Sequence, residues 1–218
     1  MVAAVAFDLD GTLIESERRW EAARRKVTEA GGGRWRDDAQ PSMMGLSTPE
    51  WIAYMQRELG VDLGAEEIRR GVLERITASY KEQLPLIDGA EEVVRRLDRW
   101  PLALASSSPR ELIDLVLELA GLEDAFDAVV SAEEVARGKP APDVYLWACE
   151  LLRADPAATV AIEDSGAGVR SAGAAGMPVI LIPGTEFTPD PALSDEASLV
   201  LGSIRELDAA AVERAANF

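Results

Sequence analysis

Two aspartates near the start of the chain have the spacing of a catalytic pair. Asp8 and Asp10 follow an apolar run, and Gly11 comes next and permits a turn. Residues i and i+2 of an extended chain share a face. One carboxylate could therefore attack or bind metal while the other moves a proton. A lone Asp-x-Asp-Gly also suits an Asx turn at the end of a strand, so both interpretations stay open.

Two further segments carry groups suited to phosphate. Residues 106–108 are three serines whose hydroxyls and backbone N–H groups could bind a phosphate at a helix N-terminus. The alternative is plain capping, with Ser108 as N-cap and Pro109 as the first helical residue. Lys139 lies in a loop stiffened by two prolines, where a point charge could bind phosphate or lower the pKa of an aspartate. The alternative there is an exposed loop lysine.

A second pair of carboxylates, Glu163 and Asp164, follows another apolar run. Carboxylate oxygens are hard ligands that suit Mg²⁺. The alternative is capping of the next helix, for which Asp164 or Ser165 would serve. Taken together, the four segments supply acids, a hydroxyl and a fixed cation, the set that phosphoryl transfer needs.

Short apolar runs separated by helical patterns predict the elements that position these groups. Such alternation is typical of an open α/β fold, in which a doubly wound parallel sheet of the Rossmann-like type has helices on both faces. Ligands of these sheets lie beyond the carboxyl ends of the strands, where all four segments fall. Residues 183–191 are rich in Pro and Gly and are predicted to form a loop. The predicted strands are Val2–Phe7, Leu102–Ala105, Ala128–Val130, Thr159–Ile162 and Val179–Ile182.

The strand pattern is interrupted between Ile14 and Pro85, where only helical periodicity occurs. Three helices are predicted there, over Glu17–Ala30, Pro49–Leu59 and Ala65–Glu82. We therefore expect an all-helical cap of residues 15–85 inserted after the first strand. The α/β core then comprises residues 1–14 and 86–218. Both ends of the insertion return close to the first strand, so the cap could cover the site.

Composition excludes several mechanisms. The 218 residues carry a formal charge of −17 and include one cysteine and no histidine. A Ser-His-Asp triad, a histidine-ligated zinc site and an intrachain disulfide are impossible. The acidic balance argues against nucleic acid and anionic membranes as partners. A small phosphorylated metabolite stays possible because local charges can reverse the field inside one cleft. We expect a cytoplasmic monomer.

The four segments together resemble the motifs of the haloacid dehalogenase superfamily of Mg²⁺-dependent phosphatases and phosphomutases. The order and spacing match over nearly the whole chain, and the helical insertion looks like that superfamily's C1 cap. The matching segments are Phe7-Asp8-Leu9-Asp10-Gly11-Thr12-Leu13, Leu104-Ala105-Ser106-Ser107-Ser108, Gly138-Lys139-Pro140-Ala141-Pro142-Asp143 and Glu163-Asp164-Ser165.

The resemblance implies a role for each motif residue. Asp8 would be the nucleophile that forms an aspartyl-phosphate, and also a metal ligand. Asp10 would protonate the leaving group and then activate water, and its main-chain carbonyl would bind Mg²⁺. Ser106 and Lys139 would hold the phosphoryl oxygens. Asp164 would bind Mg²⁺ directly, and Glu163 directly or through water. This chemistry works without histidine.

Subfamily features favour a phosphatase of small sugar or sugar-alcohol phosphates. Haloalkanoate dehalogenases lack an acid at the position of Asp10. β-Phosphoglucomutase-like members have His, Lys and Arg where this chain has Trp20, Met44 and Thr48. The stretch Glu15-Ser16-Glu17 followed by Trp20 is instead similar to sugar- and polyol-phosphate phosphatases. A sugar phosphomutase and a non-catalytic phosphosugar-binding protein remain the alternatives.

Several other residues are candidates for binding the substrate. Ser107 and Ser108 belong to the phosphate loop, and Arg110 just after it could reach a substrate hydroxyl or be a solvated helix residue. Cap residues could line the pocket of the leaving group, although Trp20 could equally anchor the cap core. These cap candidates are Trp20, Arg24, Met44, Gly45 and Ser47.

Overall fold

A computed structural model of the chain describes residues 1–184 and 192–217. Within these ranges the chain forms one six-stranded sheet, ten α-helices and three short 3-10 helices. Residues 185–191 of the predicted 183–191 loop lie outside the described part. The strands are β1 (Ala4–Phe7), β2 (Leu102–Ser106), β3 (Ala128–Ser131), β4 (Thr159–Glu163), β5 (Val179–Leu181) and β6 (Leu199–Val200).

The helices are distributed along the whole described chain. The 3-10 helices are Ala132–Glu134, Pro156–Ala158 and Ile204–Glu206. The α-helices are α1 (Glu17–Ala30), α2 (Ala39–Met43), α3 (Thr48–Arg57), α4 (Ala65–Glu82), α5 (Ala90–Arg96), α6 (Arg110–Ala120), α7 (Asp143–Leu152), α8 (Gly166–Ala174), α9 (Leu193–Glu196) and α10 (Ala209–Ala215).

The sheet is parallel throughout, with strand order β3-β2-β1-β4-β5-β6. Strand order reverses at β1, which pairs with both β2 and β4. This is the topological switch point at which open α/β sheets bind ligands. The predicted fold class is confirmed. The sequence pattern did not predict β6, which has only two residues.

The two faces of the central strands carry residues of different size. In β1, Val5 and Phe7 belong to the larger hydrophobic cluster, whereas Ala6 belongs to a second cluster on the opposite face. The same alternation of large residues with alanine recurs in β2 and β4. Because successive side chains of a strand point to opposite faces, one face of the sheet is lined with alanine. Small side chains let α7 pack close to that face.

Helices α1 to α4 lie between β1 and α5, and the sequence pattern predicted α1, α3 and α4 but not the short α2. The two chain segments that enter and leave this region run side by side. The Glu15 N–H donates to the Pro85 carbonyl over 2.8 Å, and the Ile87 N–H donates to the Leu13 carbonyl over 2.9 Å. The division into a core and a cap, with boundaries at residues 14/15 and 85/86, stays a prediction. Among the described residues, no helix is long and apolar enough to cross a membrane.

Helix α6 offers a matched pair of leucines that tests the assignment of the core. Leu117 is 4% exposed and Leu119 is 41% exposed on the same helix. We expect Leu117→Ala to lower the free energy of unfolding by about 2–5 kcal/mol, because it removes buried methyl groups and leaves a cavity. Leu119→Ala should change that free energy by less than about 0.5 kcal/mol. Urea denaturation measures both, and equal losses would contradict the packing described.

Candidate active site

The carboxyl ends of three neighbouring strands bring the predicted site residues together. Asp8 directly follows β1, Ser106 ends β2, and Glu163 ends β4. Phe7 is in register with Leu104 of β2 and with Ile162 of β4, and the Asp8 N–H donates to the Ile162 carbonyl over 2.9 Å. The pairing of β1 with its two neighbours therefore fixes the backbone of the site.

Three carboxylates, from Asp8, Glu163 and Asp164, form an acid cluster with oxygen atoms within 4.8 Å of one another. Lys139 reaches into this cluster. Its buried Nζ donates to Asp8 Oδ1 and to Glu163 Oε1, each over 2.5 Å. Burial by itself lowers the pKa of the Lys139 ammonium, but the two carboxylates more than offset that effect and raise the pKa above its ordinary value. The lysine is therefore a permanent cation, rather than the exposed loop residue of the alternative interpretation.

Glu163 is fully buried, and donors contact both of its carboxylate oxygens. Oε1 accepts from Lys139 and, over 2.7 Å, from the hydroxyl of Tyr145 on α7. Oε2 accepts from the Ser165 hydroxyl over 3.1 Å and from two backbone N–H groups. A Cβ at Gly168 would overlap this carboxylate. Glu163 is therefore held rigidly and in turn fixes the position of Lys139.

Asp164 has the features of a metal ligand. Its Oδ1 atom is buried and has no hydrogen-bond partner within residues 1–184 and 192–217. Burial, and then the Asp8 and Glu163 carboxylates, raise its pKa well above the ordinary value. The acid cluster contains three carboxyl groups against the single ammonium of Lys139, so the acids outnumber the cations by two. An unsatisfied buried oxygen beside an excess of carboxyl groups fits a divalent cation with hard oxygen ligands.

Gly11 makes room for Asp164. Its φ is +86°, which L-residues with a side chain rarely adopt. A Cβ at this position would also overlap the Asp164 carboxylate. The turn after Asp10 and the close approach of Asp164 therefore both require glycine.

Asp10 is hydrogen-bonded from both sides of the site. On the core side its Oδ2 accepts from Ser108 over 2.7 Å and from Ser106 over 3.2 Å. On the cap side its Oδ1 accepts from the Ser16 hydroxyl over 2.7 Å and from the Trp20 indole N–H over 3.3 Å. Asp10 is thus a separate carboxylate beside the acid cluster, held by neutral donors in place of a lysine.

These groups share a small cavity of about 60 Å³ between the sheet edge and the cap. Its walls combine Asp8, Asp10, Lys139 and Asp164 with cap residues and the phosphate loop. A larger cavity of about 360 Å³ adjoins it and shares Glu17, Met44, Gly45, Asp164 and Ser165 with it. The other residues lining the small cavity are Trp20, Arg24, Met43, Leu46, Trp51, Ser107 and Ser108.

Four residues proposed from the sequence have different surroundings from those expected. Ser106, expected to hold phosphoryl oxygens, is fully buried, donates to Asp10 and lines neither cavity. Arg110 donates to Asp114 over 2.7 Å and to Glu134 over 3.1 Å, and it is not among the residues lining either cavity. Ser47 donates to Glu50 at the start of α3. The N-cap interpretation of Ser108 is wrong, because its hydroxyl donates to Asp10 while α6 begins at Arg110. The N-cap interpretation of Ser165 is confirmed by its contact with the Gly168 N–H.

Three residues of the site were not proposed from the sequence as site residues, although Ser16 belongs to the subfamily motif. Tyr145 supports Glu163 and stands 3.4 Å from Lys139 Nζ. Ser16 donates to Asp10, and Gln40 is hydrogen-bonded to Arg24 beside the small cavity. Each acts through a contact with a residue distant in sequence, or through a turn whose geometry no spacing rule describes.

Comparison with known proteins identifies the family. The model of the haloacid dehalogenase-like hydrolase family matches residues 2–176. The chain belongs to the haloacid dehalogenase-like hydrolase family. Hexitol phosphatase B of Escherichia coli (strain K12) is 34% identical over 212 residues, which cover 95% of each chain. A phosphorylated carbohydrates phosphatase of Thermotoga maritima is 33% identical over 80% of this chain and 82% of that relative.

Solved structures of haloacid dehalogenase-like proteins share the fold. CbbY from Rhodobacter sphaeroides, in complex with phosphate, superimposes with a TM-score of 0.86 at 29% identity, covering 98% of this chain and 100% of that one. A β-phosphoglucomutase from Clostridium difficile gives a TM-score of 0.85 over 100% of this chain and 98% of that one, and its 22% identity shows the fold alone. The predicted family is confirmed, and so is the enzyme class of a phosphoric monoester hydrolase.

Tyr145 allows a test of how this haloacid dehalogenase-like site is held together. Tyr145→Phe removes a buried hydrogen bond to the charged Glu163 carboxylate, so we expect the free energy of unfolding to fall by about 1.5–3 kcal/mol. Tyr54→Phe is the matched control, because the Tyr54 hydroxyl accepts an exposed hydrogen bond from Arg36. It should cost less than about 0.5 kcal/mol. If urea titrations give the two variants the same free energy of unfolding, Tyr145 does not stabilise the site.

Proposed function

We propose that this enzyme hydrolyses the phosphate monoester of a small sugar or sugar alcohol, with Mg²⁺ as cofactor and a phosphorylated Asp8 as intermediate. The observation that carries the proposal is the placement of Asp8 and Asp10 in one cavity with different hydrogen-bond partners. Asp8 is paired with the Lys139 cation, whereas Asp10 is held by neutral donors. The names of the hexitol and phosphorylated-carbohydrate phosphatases support the substrate class.

In the first step an Asp8 oxygen attacks the phosphorus and the bond from phosphorus to the leaving-group oxygen breaks. Lys139 holds the Asp8 carboxylate in position and offsets negative charge as the phosphoryl group approaches. Asp10 gives its proton to the leaving oxygen as that bond breaks. The hydroxyls of Ser106 and Ser108 keep the Asp10 carboxyl aimed at this point. Ser107, which lines the small cavity, supplies a polar contact for the phosphoryl oxygens.

In the second step a water attacks the phosphorus of the phosphorylated Asp8. Asp10, now a carboxylate, accepts a proton from that water. The acyl-phosphate bond breaks, which releases inorganic phosphate and restores the Asp8 carboxylate. One carboxyl group thus serves as acid and then as base, so that the enzyme needs no histidine.

The residues suited to hold Mg²⁺ are Asp8 and Asp164, with the Asp10 main-chain carbonyl. Such a cation would neutralise charge on the acid cluster and on the phosphoryl oxygens. Both Glu163 oxygens already accept hydrogen bonds. Glu163 would therefore act on Mg²⁺ through a water or through Lys139, and not as a direct ligand. A cytoplasmic location and a monomeric state stay predictions.

Substitution of the two aspartates tests the proposed steps. Asp8→Asn removes the nucleophile and should reduce phosphate release from a panel of sugar and polyol phosphates by roughly a thousandfold or more. Asp10→Asn with p-nitrophenyl phosphate should release about one equivalent of nitrophenol quickly and then stall, because a good leaving group needs no acid but the hydrolysis of phosphorylated Asp8 needs a base.

Asp98→Asn is the control for these substitutions, because Asp98 is exposed on the surface far along the chain from both aspartates. It should behave like the wild type on every substrate. Full activity of Asp8→Asn, or silence of the wild-type enzyme across the panel with Mg²⁺ present, would refute the proposed function.

Metal binding is testable without activity. Saturating Mg²⁺, at about a hundred times its Kd, should raise the Tm of the wild-type enzyme by roughly 5–10 °C, because a ligand of the native state adds about 2.7 kcal/mol. Asp164→Asn should abolish this rise. Its Tm without metal should exceed that of the wild type, because a buried carboxylate beside like charges is removed. Thermal scans with Mg²⁺ and with EDTA measure both effects, and an undiminished rise in the variant would exclude Asp164 as a ligand.

A further inference from the structure

Arg24 of α1 is a buried cation at the wall of the small cavity. Its side chain is 5% exposed, and its guanidinium carbon lies 4.6 Å from the Trp20 ring centroid and 5.3 Å from that of Trp51. Nη1 donates to Gln40 Oε1 over 3.2 Å. Nε is buried and has no hydrogen-bond partner in the described part of the chain. A donor is therefore left unsatisfied in a side chain that lines the site.

Gln40 connects Arg24 to a carboxylate. Gln40 is itself buried, and its Nε2 donates to Glu17 Oε2 over 2.6 Å. Glu17 and Arg24 both line the small cavity that contains Asp8 and Asp10. The cap wall thus offers a donor group, Arg24, and an acceptor group, Glu17, beside Trp20, Trp51 and two methionines. Gln40 does not line the cavity but links Arg24 to Glu17.

Stability alone does not account for this arrangement. Burial lowers the pKa of the Arg24 guanidinium to about 10, with the Glu17 and Asp10 carboxylates opposing the shift, so the side chain is still charged at neutral pH. Taking a guanidinium out of water is costly, and apolar side chains of similar volume often replace buried charges without loss of stability. A buried cation and a carboxylate that line a reaction cavity are expected where they bind a polar ligand.

We propose that Arg24 and Glu17, held in position by Gln40, bind the hydroxyl groups of the leaving group and thereby select a neutral polyhydroxyl phosphate over an alkyl phosphate. This inference rests on the proposed phosphatase function. Hydroxyls both donate and accept, and so match a wall on which Arg24 donates and Glu17 accepts. The carboxylates of Glu17 and Asp10 lie close enough to Arg24 to offset its charge, which disfavours a leaving group with a second anionic group. A site built to bond hydroxyls discriminates strongly against analogues that lack them.

The test compares two substrates of equal carbon number, sorbitol phosphate and hexyl phosphate, in the wild-type enzyme and in Arg24→Met. We expect the wild-type enzyme to prefer sorbitol phosphate in kcat/KM. Arg24→Met should reduce that preference by roughly 10- to 100-fold, mainly through a higher KM for sorbitol phosphate. Its kcat/KM for hexyl phosphate should change less than about threefold.

Two further variants keep the result interpretable. Arg25→Met is the matched control, because Arg25 is the next residue of α1 but is half exposed and pairs with Glu29. It should preserve the wild-type preference. Arg24→Lys keeps the charge in the buried site but lacks the planar fork, and should recover only part of the preference. Circular dichroism and thermal melts establish that each variant is folded.

The outcomes separate this inference from the proposed function. Two outcomes in folded Arg24→Met and Arg24→Lys would show that Arg24 does not bind the hydroxyls. One is an equal loss of kcat/KM for both substrates, and the other is an unchanged preference. An unchanged preference would instead place the leaving group in the larger cavity. A preference for a bisphosphorylated substrate that Arg24→Met abolishes would likewise overturn the neutral-polyol assignment. If the wild-type enzyme hydrolyses neither substrate nor any other sugar phosphate, the proposed function itself fails.

Discussion

The contact of Lys139 with Asp8 and Glu163 is the interaction on which the rest of the site depends. A buried ammonium between two buried carboxylates is stable only when its geometry is fixed and the remaining oxygens are satisfied. The fold meets both conditions. The parallel pairing of β1 with β4 sets the two acids side by side. Tyr145, Ser165 and backbone N–H groups satisfy the Glu163 oxygens. One ammonium faces three carboxyl groups in this cluster, and a buried oxygen of Asp164 has no hydrogen-bond partner in the described part of the chain, so the cluster suits a further cation.

The alanine face of the sheet explains how Tyr145 comes within reach of this contact. Ala6, Ala103, Ala105 and Ala161 line the side of the central strands on which α7 packs. Larger residues there would hold the helix farther away. The Tyr145 hydroxyl could not then reach the carboxylate that ends β4. A pattern of small residues within strands therefore bears directly on the chemistry at their ends.

Sequence reasoning predicted the parts of the site that local patterns determine. Asp8, Ser106, Glu163 and Asp164 follow apolar runs, so their meeting at one sheet edge follows from the parallel order of the strands. Sequence patterns did not predict the contacts between segments that are distant along the chain. Tyr145 and Gln40 reach the site through helix packing. Ser108 was predicted to bind substrate or to cap a helix, and instead bonds Asp10 over a separation of 98 residues. Strand β6 was missed because two residues carry no periodicity.

The position of Asp10 joins the chemistry to the cap. Its two oxygens are divided, one bonded to Ser106 and Ser108 of the core and the other to Ser16 and Trp20 at the start of the cap. The cap also contacts the core on another side, where the Thr48 hydroxyl donates to Glu133 over 3.0 Å and Arg69 pairs with Glu111 over 3.1 Å. The acid/base is thus oriented fully only while cap and core are in contact. Trp20 donates a hydrogen bond to Asp10 and packs against Arg24. It therefore orients the proton donor and also supports the residue proposed to bind the leaving group. Substrate recognition and proton transfer would then both depend on Trp20, so a change of this side chain would alter the choice of leaving group as well as the rate of the chemical step.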